Sequence, residues 1–224
     1  GLQVERLGSG GRCFVLSGGG LGCFDHAKVE RVLDSGVSRV AVGNNILCIA
    51  DQAGVPWCWA INRKPVDPPE QTSRVTDVSD VEQLVVTWNS ACALTRSGDV
   101  ECWPFEGKDA WKARTMSGMP PAVALAGIER HVCAVTHEGQ LWCWGRNFQG
   151  ELGDGTVGDR DHPVRVKGIP SVVAVAGEDL YTCARTRDEQ LWCWGEHPFA
   201  TADTDLLRAS VGEGEPIVRV VGLP

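Results

Sequence analysis

Cys133-Ala-Val-Thr-His-Glu-Gly-Gln-Leu-Trp-Cys143-Trp-Gly145 is the stretch on which the reading of this chain turns, and Cys183-Ala-Arg-Thr-Arg-Asp-Glu-Gln-Leu-Trp-Cys193-Trp-Gly195 is nearly a copy of it. Outward from these two, the same spacing recurs at Cys13 and Cys23, Cys48 and Cys58, and Cys92 and Cys102, so each consecutive pair of cysteines lies ten residues apart. Each pair brackets a short apolar segment, a polar turn and a second segment whose cysteine is followed at once by an aromatic residue: Phe24, Trp59, Trp103, Trp144 or Trp194. A period of roughly 40–45 residues suits the blade of a β-propeller.

The spacing of ten has a geometric reason. A three-residue hairpin loop, a type I turn closed by a residue in the left-handed region, places residue i opposite residue i+10. The loops are then Ser17-Gly18-Gly19, Gln52-Ala53-Gly54, Arg96-Ser97-Gly98, His137-Glu138-Gly139 and Arg187-Asp188-Glu189. Four end in glycine, the residue that tolerates positive φ. Glu189 breaks the rule, and strain or a shifted turn is expected there. The cysteines fall on a non-hydrogen-bonded pair, where Cα atoms approach to about 4.5 Å, so a disulfide across adjacent strands is feasible in every repeat.

Metal ligation is the rival use of ten cysteines, but it needs short chelating spacings such as C-x-x-C, and none occurs. Disulfides are favoured, with buried free thiols as the remaining alternative. That usage points to an oxidising compartment, so a secreted, periplasmic or cell-surface location is expected. A formal net charge of -8 argues against binding a phosphate backbone. No stretch approaches the ~18–20 apolar residues of a membrane span, and no signal-peptide pattern opens the sequence, so membrane insertion is not expected.

A strand-like run precedes each first cysteine: Val4 to Gly8, Val37 to Gly43, Val81 to Thr87, Ala122 to Gly127 and Ser171 to Gly177. These are expected to be the innermost strands, and the cysteine-bearing segments the second and third. Outer strands are marked at Ser73 to Val75, Pro163 to Val166 and Pro216 to Val220, and less clearly in the first and third repeats. The expected fold is all-β, a single propeller domain over residues 1–224 with five four-stranded blades, at about 1–35, 36–78, 79–119, 120–169 and 170–224. Closure into a ring is favoured; an open arc, or a fragment of a larger propeller of seven blades, is the alternative.

The fourth repeat carries a further signature in Ala124-Leu-Ala-Gly127, His131-Val-Cys133, Leu141-Trp-Cys143-Trp-Gly145 and Gly145-Arg-Asn147-Phe-Gln-Gly150-Glu-Leu152-Gly153-Asp-Gly155-Thr156. It resembles the regulator-of-chromosome-condensation repeat family. The resemblance is good across the hairpin of the fifth repeat and confined to hairpin and inner strand in the first three. It implies a propeller, with Gly145, Gly150 and Gly153 allowing tight turns, Asn147 bonding local backbone and Leu152 packing between blades. Only His131 stands at the family's usual histidine position. The family's activities reside in individual loops without a transferable motif.

Without a nucleophile–base set, phosphate loop or metal signature, a non-enzymatic binding module is the leading functional class, and no cofactor is expected. Its partner is expected to be a protein or a carbohydrate. Trp57, Trp59, Trp142, Trp144, Trp192 and Trp194 alternate with cysteines and read as packing between blades. Loop length varies at one end of the blades, where strand one joins strand two and strand three joins strand four; the hairpin turns at the other end never vary. Recognition is therefore expected at the variable end, from Trp88, Trp111, Arg130, His131, Phe148, Tyr181 and Phe199, the alternative being that these side chains merely pin their own loops. The alternatives are a glycosidase-like propeller, for which the inner strands offer only Glu5 and Glu82, and a structural repeat array of a surface protein. The oxygen-rich run Asp154 to Asp161 is read as a solvated turn in preference to a calcium loop. Asp203 to Glu215 is read as an acidic insertion.

Overall fold

The computed structural model describes residues 4–7, 12–25, 28–61, 73–196, 207–209 and 217–220. Strands make up the regular structure among them, with no helix. The chain divides into two compact units, Gly1–Thr115 and Met116–Pro224.

The first unit holds three antiparallel sheets, each in sequence order. Blade 1 is β1 (Val4–Leu7), β2 (Cys13–Leu16), β3 (Gly20–Asp25) and β4 (Lys28–Leu33). Blade 2 is β5 (Val37–Gly43), β6 (Ile46–Asp51), β7 (Pro56–Ala60) and β8 (Ser73–Arg74). Blade 3 is β9 (Val81–Val86), β10 (Ser90–Thr95), β11 (Val100–Pro104) and β12 (Arg114–Thr115). In the second unit, blade 4 is β13 (Ala122–Ile128), β14 (His131–Thr136), β15 (Leu141–Gly145) and β16 (Arg160–Arg165). Blade 5 contains β17 (Val172–Glu178), β18 (Tyr181–Thr186), β19 (Leu191–Gly195), β20 (Leu207–Ala209) and β21 (Ile217–Val220), in the order β17-β18-β19-β21-β20.

Blade 5 therefore has one strand beyond the expected four. It comes from within the acidic stretch read as an insertion, because residues 207–209 pair with β21 and prolong the sheet. The outer strands of blades 1 and 3, only faintly marked in the sequence, are β4 and β12.

Each central hairpin has the expected register. Cys13 faces Cys23, Cys48 faces Cys58, Cys92 faces Cys102, Cys133 faces Cys143 and Cys183 faces Cys193. All five pairs are disulfide-bonded, with Cα separations of 4.0 to 4.1 Å. The third turn position has positive φ in every repeat, at Gly19, Gly54, Gly98, Gly139 and Glu189. Glu189 takes the glycine geometry at φ 62° without shifting the turn, and its carboxylate pairs with Arg185 at 2.7 Å.

Alternation along the strands sets how blades stack. A cysteine and the aromatic after it point to opposite faces of a sheet. In the first unit, Val15, Leu21 and the Cys13–Cys23 pair pack with Val40, Leu47 and Trp59 of blade 2. Ala41, Cys48 and Cys58 of blade 2 pack in turn with Leu84, Ala93 and Trp103 of blade 3. In the second unit, Cys133, Val135, Leu141, Cys143 and Leu152 pack with Val172, Ala184 and Trp194. The Cys13–Cys23, Cys48–Cys58 and Cys133–Cys143 disulfides thus face the next blade within their units, and Trp59, Trp103 and Trp194 the preceding one. Close stacking also needs small residues: a Cβ on Gly43 would lie 2.6 Å from the Val86 carbonyl oxygen.

Every inner strand is bulged at its second residue: Glu5, Ser38, Glu82, Val123 and Val173 stand between the paired neighbours in their strands. A bulge adds local twist and bends the strand. Ser38 Oγ donates to the Asp51 carbonyl at 2.7 Å, satisfying backbone beside the bulge.

Candidate functional site

The connections from first to second strand and from third to fourth strand emerge at the same end of each blade, opposite the invariant hairpin turns. In the first unit this end presents Trp88, between β9 and β10, at 45% exposure. Its carbonyl accepts a hydrogen bond of 3.0 Å from Asn44 Nδ2 in the β5–β6 turn, and Thr87 N–H donates to the Ser90 carbonyl at 2.8 Å. The loop backbone is therefore held on both sides, and the residue remains partly exposed. Trp111 behaves differently. It has φ 64°, its ring lies 5.3 Å from that of Phe105, and both pack against the core that contains Trp103. Trp111 is a half-buried loop anchor, so its ring is not the open contact surface the sequence suggested.

In the second unit, the β15–β16 loop carries Phe148, the most exposed large apolar side chain among the described residues at 64%. The Arg146 guanidinium lies 5.2 Å from its ring centroid, the geometry of a cation–π contact. Arg146 also reaches Asp179 of the β17–β18 turn at 3.8 Å, and its N–H donates to the Arg130 carbonyl at 3.1 Å. Arg130 is exposed. Tyr181 is half-buried, with its hydroxyl 3.5 Å from Glu178. Desolvation, then a hydrogen bond with Asp179 and that residue's charge, raise the Glu129 pKa above the usual carboxylate value.

His131 is buried, at 1% exposure. Its Nε2 lies 2.7 Å from Thr182 Oγ1, which donates to the Glu151 carbonyl at 2.8 Å. The imidazole is thus a piece of the junction between blades 4 and 5, away from the surface where the sequence placed it. Phe199 lies outside the described residues.

The loop that presents Phe148 is organised from within. Asn147 Nδ2 donates to the carbonyls of Thr156 and Gly158, each at 3.0 Å, while its Oδ1 accepts from Leu152 N–H at 2.9 Å. Asp154 accepts from Thr156 N–H at 2.9 Å and from Thr156 Oγ1 at 2.7 Å, and pairs with Arg160 at 2.9 Å. Burial acts to raise the Asp154 pKa, but the Thr156 and Arg160 interactions outweigh it and hold the group below its ordinary value. The run Asp154 to Asp161 is therefore no simple solvated turn: Asn147 engages its oxygens from outside the run and Arg160 from within it. No group of three metal-ligating side chains occurs among the described residues.

For a glycosidase the inner strands would have to converge carboxylates. The Glu82 side chain instead pairs with Arg96 at 3.2 Å, near the hairpin end of its blade, and the Glu5 side chain lies outside the described ones. No helix among the described residues is long and apolar enough to cross a membrane.

Sequence reasoning missed Arg146, Asn44, Asp179, Glu151 and Thr182. Arg146 and Glu151 stood inside the signature of the fourth repeat, between Gly145 and Asn147 and between Gly150 and Leu152; the others owe their roles to neighbouring blades.

Comparison with known proteins fits this architecture. Residues 138–184 match the Regulator of chromosome condensation (RCC1) repeat. The human E3 ubiquitin-protein ligase HERC2 is 34% identical over 160 residues, which is 62% of this chain and 3% of that protein. The chain thus spans a small fraction of that relative's length. Among solved structures, Prp20p from Saccharomyces cerevisiae, described with its binding to Gsp1p and histones, has a TM-score of 0.65 at 14% identity and covers 95% of this chain and 67% of its own. Human WBSCR16 has a TM-score of 0.69 at 15% identity, covering 97% and 67%. The ectodomain of the Physcomitrella patens receptor kinase CR4 has a TM-score of 0.56 at 18% identity, covering 82% and 49%. The fold is that of RCC1-type propellers.

Proposed function

We propose that this chain, built of RCC1-type propeller blades, is a non-enzymatic extracytoplasmic binding module that takes a protein partner on the variable loop end of its blades. The observation that carries the reading is Phe148, 64% exposed on a loop whose backbone is fixed by Asn147. A rigidly held aromatic anchor with an arginine beside it is residue chemistry enriched at protein interfaces. Trp88 is held in a comparable way in the first unit, its backbone tied to Asn44 and the residue 45% exposed. Partner binding by Prp20p and the ectodomain setting of CR4 lend the reading support by analogy of fold alone. Five disulfides favour the oxidising compartment.

The test is a pull-down with the purified chain from an extracellular protein fraction, run in parallel with the Trp88→Ser, Phe148→Ser double variant and with a glycan array. A protein retained by the wild type and lost by the double variant, at unchanged melting temperature, is the expected outcome. Equal retention by both moves the site elsewhere. Binding confined to glycans replaces the protein reading with the carbohydrate one.

A further inference from the structure

Four side-chain atoms of the second unit are buried without a hydrogen-bond partner around one junction: His131 Nδ1, Arg146 Nε, Glu151 Oε1 and Asp179 Oδ1. Buried polar atoms normally find partners, so such a concentration calls for an explanation. Hydrogen-bond direction supplies part of it. A hydroxyl has one proton to give, and Thr182 Oγ1 gives it to the Glu151 carbonyl. His131 Nε2 must then be the donor to Thr182, which leaves Nδ1 as a bare acceptor. Trp194 Nε1 donates to the same Glu151 carbonyl at 2.7 Å. A chain of hydrogen bonds thus runs from β14 through β18 to the loop at Glu151 and meets β19 there.

We propose that His131 is an acid-sensitive latch on the 146–159 loop: Nε2–H bonds Thr182 in either state, but only the neutral ring fits the buried junction that docks the loop on blade 5, and protonation at Nδ1 drives release. This deepens the binding reading above, because release displaces the segment that presents Phe148. The physical cause is the place into which the second proton goes. Protonation puts an N–H and a full charge at Nδ1, which is buried and has no acceptor, and undocking of the loop is the proposed route by which water reaches the junction.

Charged groups come to this junction from several elements, and of these the charge of Asp179 acts on the ring. Glu129 and Arg130 come from the β13–β14 turn, Arg146, Glu151 and Asp159 from the loop, and Glu178 and Asp179 from the end of β17 and its turn. Asp179 favours the imidazolium, but it is already engaged by Arg146 and Glu129. Burial prevails, and the His131 pKa falls to about 4.

The test is amide hydrogen exchange of the intact chain at pH 7, 5.5 and 4, corrected for intrinsic rates, read at Leu152 and Gly153 with Ala93 of β10 as internal reference. The wild type should lose protection at least tenfold at the two loop amides at pH 4 while Ala93 stays protected. His131→Gln, which keeps an N–H near the Nε2 position without a titrating ring, should be flat with pH, and Thr182→Val should be unprotected already at pH 7. Equal protection at pH 7 and pH 4, or the same acid loss in His131→Gln, overturns the latch. If His131→Gln does not fold, NMR titration of the wild-type ring decides: titration near pH 4 together with the loop signals supports it, and titration near pH 6.5 without loop change overturns it. No partner enters these measurements, so a failure of the latch is distinguishable from a failure of the binding reading.

Discussion

Trp194 gives its indole proton to the carbonyl of Glu151, a residue 43 positions earlier in the chain, at 2.7 Å. That bond joins the third strand of blade 5 to the loop of blade 4, and Leu152, fully buried, fills the space beside it. Leu152→Ala should therefore cost about 2–5 kcal/mol, the range for truncating a buried leucine. Trp194→Phe should cost less, on the order of 1–3 kcal/mol from the lost hydrogen bond and reduced packing. Denaturant unfolding of both variants checks the ranking.

Two loop aromatics that look alike in the sequence should behave differently. Trp111→Ala should lower the melting temperature, because its ring packs against Phe105 and the core, with a loss of about 1–3 kcal/mol for a half-buried anchor. Phe148→Ala should change stability by less than about 0.5 kcal/mol, as for other exposed positions. Calorimetry of the two single variants separates them.

Stability should fall on acidification in a window set by His131. A histidine with an ordinary value of 6.5 and a folded value of about 4 is bound by fewer protons in the folded state. Its contribution is complete above pH 6.5, is lost as pH falls towards 4, and changes no further below that. The loss is on the order of 3 kcal/mol. Glu151 acts in the opposite sense, since its raised pKa favours the folded state as pH falls through the range just above 4.5. Asp154, with a depressed pKa, adds a loss that begins below about its ordinary 3.8. Urea unfolding at pH 7 and pH 4.5 should show the drop in the wild type and a smaller one in His131→Gln.

Glu189 holds a left-handed conformation that the four equivalent turns assign to glycine. Glu189→Gly should stabilise the chain by about 0.5 kcal/mol: the relieved backbone is worth roughly 1 kcal/mol, less the exposed pair with Arg185, worth a few tenths. A rise in urea midpoint at constant slope is the expected result.

What the sequence disclosed was whatever repeats. Ten-residue spacing gave the cysteine register, and the glycine at the third loop position gave the turn, including the one place where Glu189 substitutes for it. The bulges at Glu5, Ser38, Glu82, Val123 and Val173 were not legible, because these residues share no chemistry; the bulge belongs to the bending of the strand against its neighbour. The outer strand Lys28–Leu33 lacked a clear signal for a related reason, since an edge strand pairs through backbone that any sequence supplies. His131 misled most. Its position next to a turn suggested a surface group, while its burial depends on Thr182, 51 residues away, and on a loop folded over it.

The five disulfides have a consequence for the chain when it is not folded. Each joins residues ten apart, so a denatured molecule still contains five closed hairpins whose strands cannot slip past one another. A one-residue slip would turn every side chain to the wrong face, and that error is removed before folding starts. Refolding under oxidising conditions then begins from five pre-registered seeds, and the slow work left is the addition of inner and outer strands and the stacking of one blade on the next. Reduction would erase this memory of register, so the reduced chain should refold more slowly and aggregate more readily, even where native contacts alone would hold the finished structure together.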